Sequence, residues 1–214
     1  MKPDKTNDFF SAAEMKAIRK AVAVAETGTS GQIAPMIVDE SDSYREALLL
    51  GVLFLSGLLA LIVAIAIHHV TIWTYIPLVV VLALPCYLLL RRFPRIKLAF
   101  IGRKRINEAV QERAVRAFYE KGLYRTRHET GVLIFISLLE RKVWILGDRG
   151  INEKITPDSW QTLAGELAKG IRQGKTCESL CTTIRACGEE LTRYFPQAPG
   201  TGINELPDDL LVSR

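Results

Sequence analysis

Along this chain the spacing of apolar positions changes several times, and each change marks an element. From Phe9 to Ala25 they fall at Met15, Ile18, Val22 and Ala25, one stripe of a helix, with Ser11 and Glu14 spaced as a capping box. Glycines break that period at "ETGTSGQ". Gln32 to Val38 then reads as a strand, and Pro35 inside it predicts an edge position or a bulge. A second helical period runs from Ile101 to Glu120 through Ile106, Val110, Ala114, Ala117 and Phe118, and Gly122 ends it. "GVLIFISL", Gly131 to Leu138, is apolar on both faces, as a central strand between helices would be. Leu139-Glu140-Arg141 joins it to an antiparallel partner, Lys142 to Gly147. Thr156 and Pro157 open a helix carrying Trp160, Leu163, Leu167 and Ile171 to a stop at Gly174, and Thr176 opens a last one that ends at Phe195-Pro196. The tail, 197–214, shows no period and reads as irregular.

Between the first strand and the second helical period the pattern disappears into two uncharged runs. Ala47 to Ile67 and Ile72 to Leu90 are each about as long as a helix crossing the roughly 30 Å hydrocarbon core of a bilayer. Only His68 to Thr71 separates them, so they predict a transmembrane hairpin with both chain ends on one side. The fold expected is therefore α/β: a three-layer sandwich with a small mixed sheet covered by helices, interrupted by a two-helix hairpin. Residues 1–43 supply its first part and 91–196 its second, because one helix and one strand alone bury too little to fold. The hairpin, lying behind a charged amphipathic segment rather than at the start of the chain, is expected to direct its own insertion.

Charge gives the orientation. "RRFPRIKLAFIGRKR", Arg91 to Arg105, holds seven basic residues and no acidic one, and the His68 to Thr71 turn holds neither Lys nor Arg. The positive-inside rule then places the soluble segments and both termini in the cytoplasm, under a cell (inner) membrane crossed more than once. The chain carries 28 Lys and Arg against 23 Asp and Glu, and without those seven the balance becomes 21 against 23. The basic excess is thus local. It points to anionic lipid headgroups beside Arg91 to Arg105 as the partner and removes the case for nucleic acid.

Cys86 falls inside a span, and Cys177, Cys181 and Cys187 share one predicted helix. Without a C-x-x-C framework they read as small buried thiols rather than metal ligands. Asp39, Glu40 and Asp42 read as a solvated linker countering Arg91 and Arg92. There is no Gly-rich phosphate loop and no recognisable Cys-His or Ser-His-Asp set. Of three histidines, His68 and His69 sit at the hairpin turn, so a His-based hydrolase would depend on His128.

"FSAAEMKAIRKAVAVAETGTSGQI", "RAFYEKGLYRTRHETGVLIFISLLERKVWILGDRGI" and the run from Trp160 through "LAGELAKGIRQGK" to "LTRYFP" resemble the TPM-domain family. They cover nearly all of the chain outside the hairpin. The family is also labelled a phosphatase domain, although phosphatase activity belongs to some members and is absent from others. The resemblance implies a compact α/β domain, often membrane-anchored, with acidic loop residues that bind divalent cations such as calcium in some members. The inserted hairpin departs from relatives that carry a signal peptide in front and an anchor behind, so their partners need not be this protein's.

Topology gives those acidic residues an address. With the first two strands parallel and the third antiparallel, one pole of the sheet gathers Glu26, Thr29 and Ser30, then Thr126, His128 and Glu129, then Asp148 and Arg149. The pole is expected to face away from the bilayer. Calcium takes several oxygens at about 2.3 to 2.6 Å. Glu26, Glu129 and Asp148 are the candidate metal ligands, with Thr29, Thr126 and Arg149 as accessories and Gly131 and Gly150 leaving room for backbone carbonyls. The competing reading is that Asp148 only bonds its own turn and that the threonines satisfy loop amides. Two functions follow. One is a non-enzymatic module that supports assembly, quality control or turnover of a membrane protein complex, with the cation as a structural element. The other is a metal-assisted phosphatase in which Arg149 steadies the anion.

Overall fold

The computed structural model describes residues 9–68, 71–126, 129–197 and 209–213. Its contacts group the chain into two units: Met1–Ser41 with Asn107–Arg214, and Asp42–Ile106, so the basic stretch belongs with the hairpin.

In the first unit, helix α1 (Ala12–Glu26) starts where the capping box predicts, since Ser11 Oγ accepts from the Glu14 amide and the Glu14 carboxylate accepts from the Ser11 amide. That exposed carboxyl is held below its ordinary range, first by the Ser11 backbone bond and then by the Ser11 hydroxyl. Strand β1 (Gln32–Val38) pairs parallel with β2 (Gly131–Ser137), from Gln32 with Gly131 to Val38 with Ser137. β2 pairs antiparallel with β3 (Lys142–Gly147).

The tail corrects the expectation of irregularity. Leu211–Ser213 forms β4, parallel to β1 over Met36–Val38, giving the order β3-β2-β1-β4. A strand this short is too brief to show an alternating period. Pro35 is also placed differently from expected: β1 is an interior strand with no bulge in its register against β2. The Gln32 amide points to the Thr130 carbonyl and the next amide, Ile33, points the other way, to Glu26. By that alternation the missing N–H of Pro35 also lies on the flank away from β2, where β4 pairing begins only at Met36.

Both faces of the sheet are covered, which is why β1 and β2 are buried throughout. Ile33, Ile37, Val132, Ile134, Ile136, Val143 and Ile145 pack with α1, α7 (Pro157–Arg172) and α8 (Thr176–Tyr194). Trp160 belongs to that core at 4% exposure, as its stripe predicts. Gly188 allows α8 to press on α1, because a Cβ there would stand 2.7 Å from that of Ala25. The opposite face is thinner. Ala34, Met36, Val38, Leu133 and Phe135 pack under α5 (Arg103–Glu120), which begins just past Gly102 and contributes Val110, Ala114, Ala117 and Phe118. On β3 that face leaves Trp144 and Leu146 half-buried.

The second unit is a helix pair, α2 (Arg45–Ala66, 22 residues) and α3 (Ile72–Arg92, 21 residues), both long and apolar enough to cross a membrane. The side of α2 buried in the pair carries small residues, Ala47, Gly51, Ser56, Ala60 and Ala64, which let backbones approach as in membrane helix pairs. Leu90 and Phe100 fill the space over Gly51. Leu49, Leu53, Phe54, Ile62 and Ile65 on α2, and Val80, Val81 and Leu84 on α3, point outward. A short helix, α4 (Pro94–Lys97), follows α3. Asp42 pairs with Arg105 at 2.6 Å rather than with Arg91 or Arg92, the partners expected for the acidic run.

Candidate functional site

The register puts the starts of β1 and β2 and the end of β3 at one pole, as the topology argument requires. The Gln32 amide donates to the Thr130 carbonyl at 3.1 Å and the Asp148 amide to the Gly131 carbonyl at 2.8 Å. The side chains there do not converge on a common centre. Glu26 Oε1 accepts from the Ile33 amide at 2.6 Å, which serves the strand flank that β4 leaves open. Glu129 is exposed on a backbone with φ of 52°, in the left-handed region. Thr29 donates to the Phe195 carbonyl at 2.7 Å and accepts from the Gly31 amide at 3.0 Å, and Thr126 accepts from the Thr130 amide at 3.0 Å. His128 lies outside the described residues.

Among the described residues no group of three His, Cys, Asp or Glu side chains stands where it could hold a metal ion. Glu26, Glu129 and Asp148 thus form no such three-carboxylate group among the described residues, and the two threonines accept from loop amides. Gly131 has a packing role rather than a ligand-access role: a Cβ there would stand 2.6 Å from the Leu123 carbonyl oxygen.

Asp148 and Arg149 do share a site. Asp148 caps a short helix, α6 (Arg149–Asn152), its Oδ1 accepting from the Arg149 amide at 2.8 Å. Its Oδ2 is buried and accepts no hydrogen bond among the described residues. Asn152 donates to the Gly147 carbonyl at 2.7 Å and holds α6 against the end of β3. Between α6 and α5 lies a groove of about 570 Å³, with Val115, Phe118 and Leu146 as its apolar part and Tyr119, Asp148, Arg149, Asn152 and Glu153 as its polar part. Among the described residues, α5 and Leu123 cover this face of the sheet. The Arg149 guanidinium, largely exposed, pairs with Glu153 at 3.3 Å.

Sequence reasoning missed Val115, Tyr119, Asn152 and Glu153. A signal for the first two was present: Val115 and Tyr119, four residues apart, form a second apolar ridge beside Ala114 and Phe118 on the same helix. The cysteines are free thiols, as the sequence suggests. Burial pushes Cys187 up to about 12, with Glu190 adding to the shift, and burial followed by the neighbouring Cys181 raises Cys177 to about 11. Such thiols are poor nucleophiles at neutral pH.

Residues 96–190 match the family model for the TPM domain, so every residue lining the groove falls inside the match and Glu26 falls outside it. No curated protein matches the chain. Among solved structures it is similar to the BA42 protein from the psychrophilic bacterium Bizionia argentinensis, determined by NMR. The TM-score is 0.60 at 22% identity over 96% of each chain, a likeness of fold.

Proposed function

We propose that this chain, whose residues 96–190 match the TPM domain, is a membrane-anchored, non-enzymatic binding module whose α5–α6 groove receives part of a membrane protein complex. The observation that carries the proposal is the groove itself, an open cleft in which Val115, Phe118 and Leu146 stand beside Tyr119, Asp148, Arg149, Asn152 and Glu153, so that apolar area and polar groups are offered together. The two apolar helices supply the anchor. In this reading they cross the cell membrane as a hairpin, with both termini and the TPM domain in the cytoplasm, because the positive charge clusters next to α3 and not at the His68 end. Anionic headgroups neutralise that charge.

A photo-crosslinking side chain at Tyr119, at the groove rim, tests the docking reading in intact membranes. A discrete adduct is expected, abolished by Leu146→Asp and unaffected by a crosslinker at exposed Thr162, which lies away from the groove. Equal adducts from both positions would remove the groove from the proposal.

The second reading is a phosphatase, favoured by one observation: Asp148 and Arg149 line the same groove. It would rely on Arg149 to hold a phosphoryl group, and Arg149 is already paired with Glu153. Release of phosphate from an aryl phosphate by purified protein, lost in Arg149→Gln, would favour it over the docking module.

A further inference from the structure

Five of the seven basic residues between Arg91 and Arg105 fall into two sets with different surroundings. Lys97 is 7% exposed, and its ammonium donates to the Ser43 carbonyl at 3.2 Å and lies 5.5 Å from the Tyr44 ring centre. Arg105 bonds Asp42 at 2.6 Å and reaches Glu46 at 3.8 Å. These two charges are consumed inside the unit, bracing the segment after α3 against the start of α2. Arg91 and Arg92 in the last turn of α3, and Arg95 on α4, are exposed and have no acidic partner among the described residues. Beside them stand two exposed apolar side chains, Phe93 at 51% and Ile96 at 37%, with the Arg92 guanidinium 5.6 Å from the Phe93 ring centre.

Three guanidinium groups without an acidic partner among the described residues, set beside an aromatic and a branched aliphatic side chain, fit neither water alone nor hydrocarbon alone. They fit the boundary between the two, where the apolar side chains enter the acyl region and each guanidinium presents a planar fork to phosphate oxygens. The C-terminal end of α3 adds partial negative charge that holds cations in place. We propose that Arg91, Arg92 and Arg95, with Phe93 and Ile96 sunk into the lipid beside them, form a binding site for the headgroup of an anionic phospholipid, while Lys97 and Arg105 shape it from within. The proposal rests on the reading of α2 and α3 as membrane-crossing helices. It narrows the lipid contact from the whole basic stretch to one corner.

The test uses the full chain reconstituted in lipid nanodiscs of phosphatidylcholine mixed with phosphatidylglycerol, with lipids retained on release counted by native mass spectrometry. Wild type is expected to keep phosphatidylglycerol in preference. Arg91→Gln, Arg92→Gln and Arg95→Gln should each lower the preference about fivefold, the factor expected for one basic residue at an anionic surface. Arg103→Gln should leave it unchanged. Phe93→Ser should weaken retention with no charge removed. Since all these side chains are exposed, circular dichroism should report an unchanged fold. Wild type retaining the two lipids equally, or Arg103→Gln losing as much as Arg95→Gln, would overturn the site. Displacement of the bound lipid by inorganic phosphate would overturn the lipid source in favour of a free-anion site. Extraction of wild type from membranes by alkaline carbonate would instead overturn the crossing reading, and the site with it; a chain that resists extraction yet shows no lipid preference loses the site alone.

Discussion

Glu140 and Asp148 stand at opposite ends of β3, each just outside the strand, and their surroundings differ in a way that separates structure from function. Glu140 is 8% exposed and both its oxygens are engaged: Oε1 accepts from the Ser41 amide at 2.9 Å, and Oε2 accepts from the Ser137 hydroxyl, which itself receives the Ser41 hydroxyl at 3.0 Å. That network ties the chain leaving β1 to the turn between β2 and β3. Asp148 has one oxygen on its own helix cap and the other buried without a hydrogen bond among the described residues, beside a groove of about 570 Å³. A satisfied buried carboxylate holds a fold together, whereas an incompletely bonded one beside a groove leaves hydrogen-bonding capacity for a ligand.

The comparison is sharpened first by a residue at neither end. Trp160→Ala should cost about 3 to 5 kcal/mol in denaturant unfolding, because it empties the core between α7 and the sheet. Trp160→Phe should cost much less, since it fills most of the space and removes an indole N–H that is buried without a partner among the described residues. A stable Trp160→Ala protein would mean that the α1, α7 and α8 layer contributes little to the fold.

Glu140→Ala should come next, at about 2 to 3 kcal/mol, because it leaves the Ser41 amide and the Ser137 hydroxyl short of an acceptor. Asp148→Asn should cost under about 1 kcal/mol, since Asn caps a helix as well as Asp does. Equal losses at the two positions in thermal melts would erase the distinction between a structural and a functional carboxylate.

Divalent cations give a smaller effect. Among the described residues lining the groove, Asp148 and Glu153 carry the carboxylates, and Glu153 is engaged by Arg149. Millimolar calcium should therefore stabilise the protein in thermal melts by far less than the about 2.7 kcal/mol that a hundredfold excess over Kd supplies. A full-sized shift lost in Asp148→Asn would restore the pole as a cation site.

The last effect shows only in alkali. Cys187 is raised from 9.0 to about 12 by burial, so the stability linked to its neutral thiol is complete below pH 9 and lost as pH rises towards 12. Alkaline melts of Cys187→Ala should lose less stability over that window than wild type. In native protein at pH 8, Cys187 should resist a thiol reagent.

The sequence alone determined most elements of this fold because their signals are local: helical stripes, apolar strands, a capping box from Ser11 to Glu14, and two uncharged runs too long for most soluble helices. It also determined which strand ends meet, since parallel and antiparallel neighbours follow from connection length. Tertiary structure decided what each polar group at that pole bonds to. Glu26 was taken by the Ile33 amide, Thr126 by the Thr130 amide and Gly147 by Asn152, and Tyr119 was brought to Asp148 from a separate helix. The short β4 was likewise decided by its neighbour, since Leu211–Ser213 has no period of its own and becomes a strand only where β1 offers free backbone groups. The physical reason is the same in each case. A periodic pattern reports burial, which the chain carries in its own residue types, while a hydrogen-bond partner is chosen from whatever donors packing brings within reach.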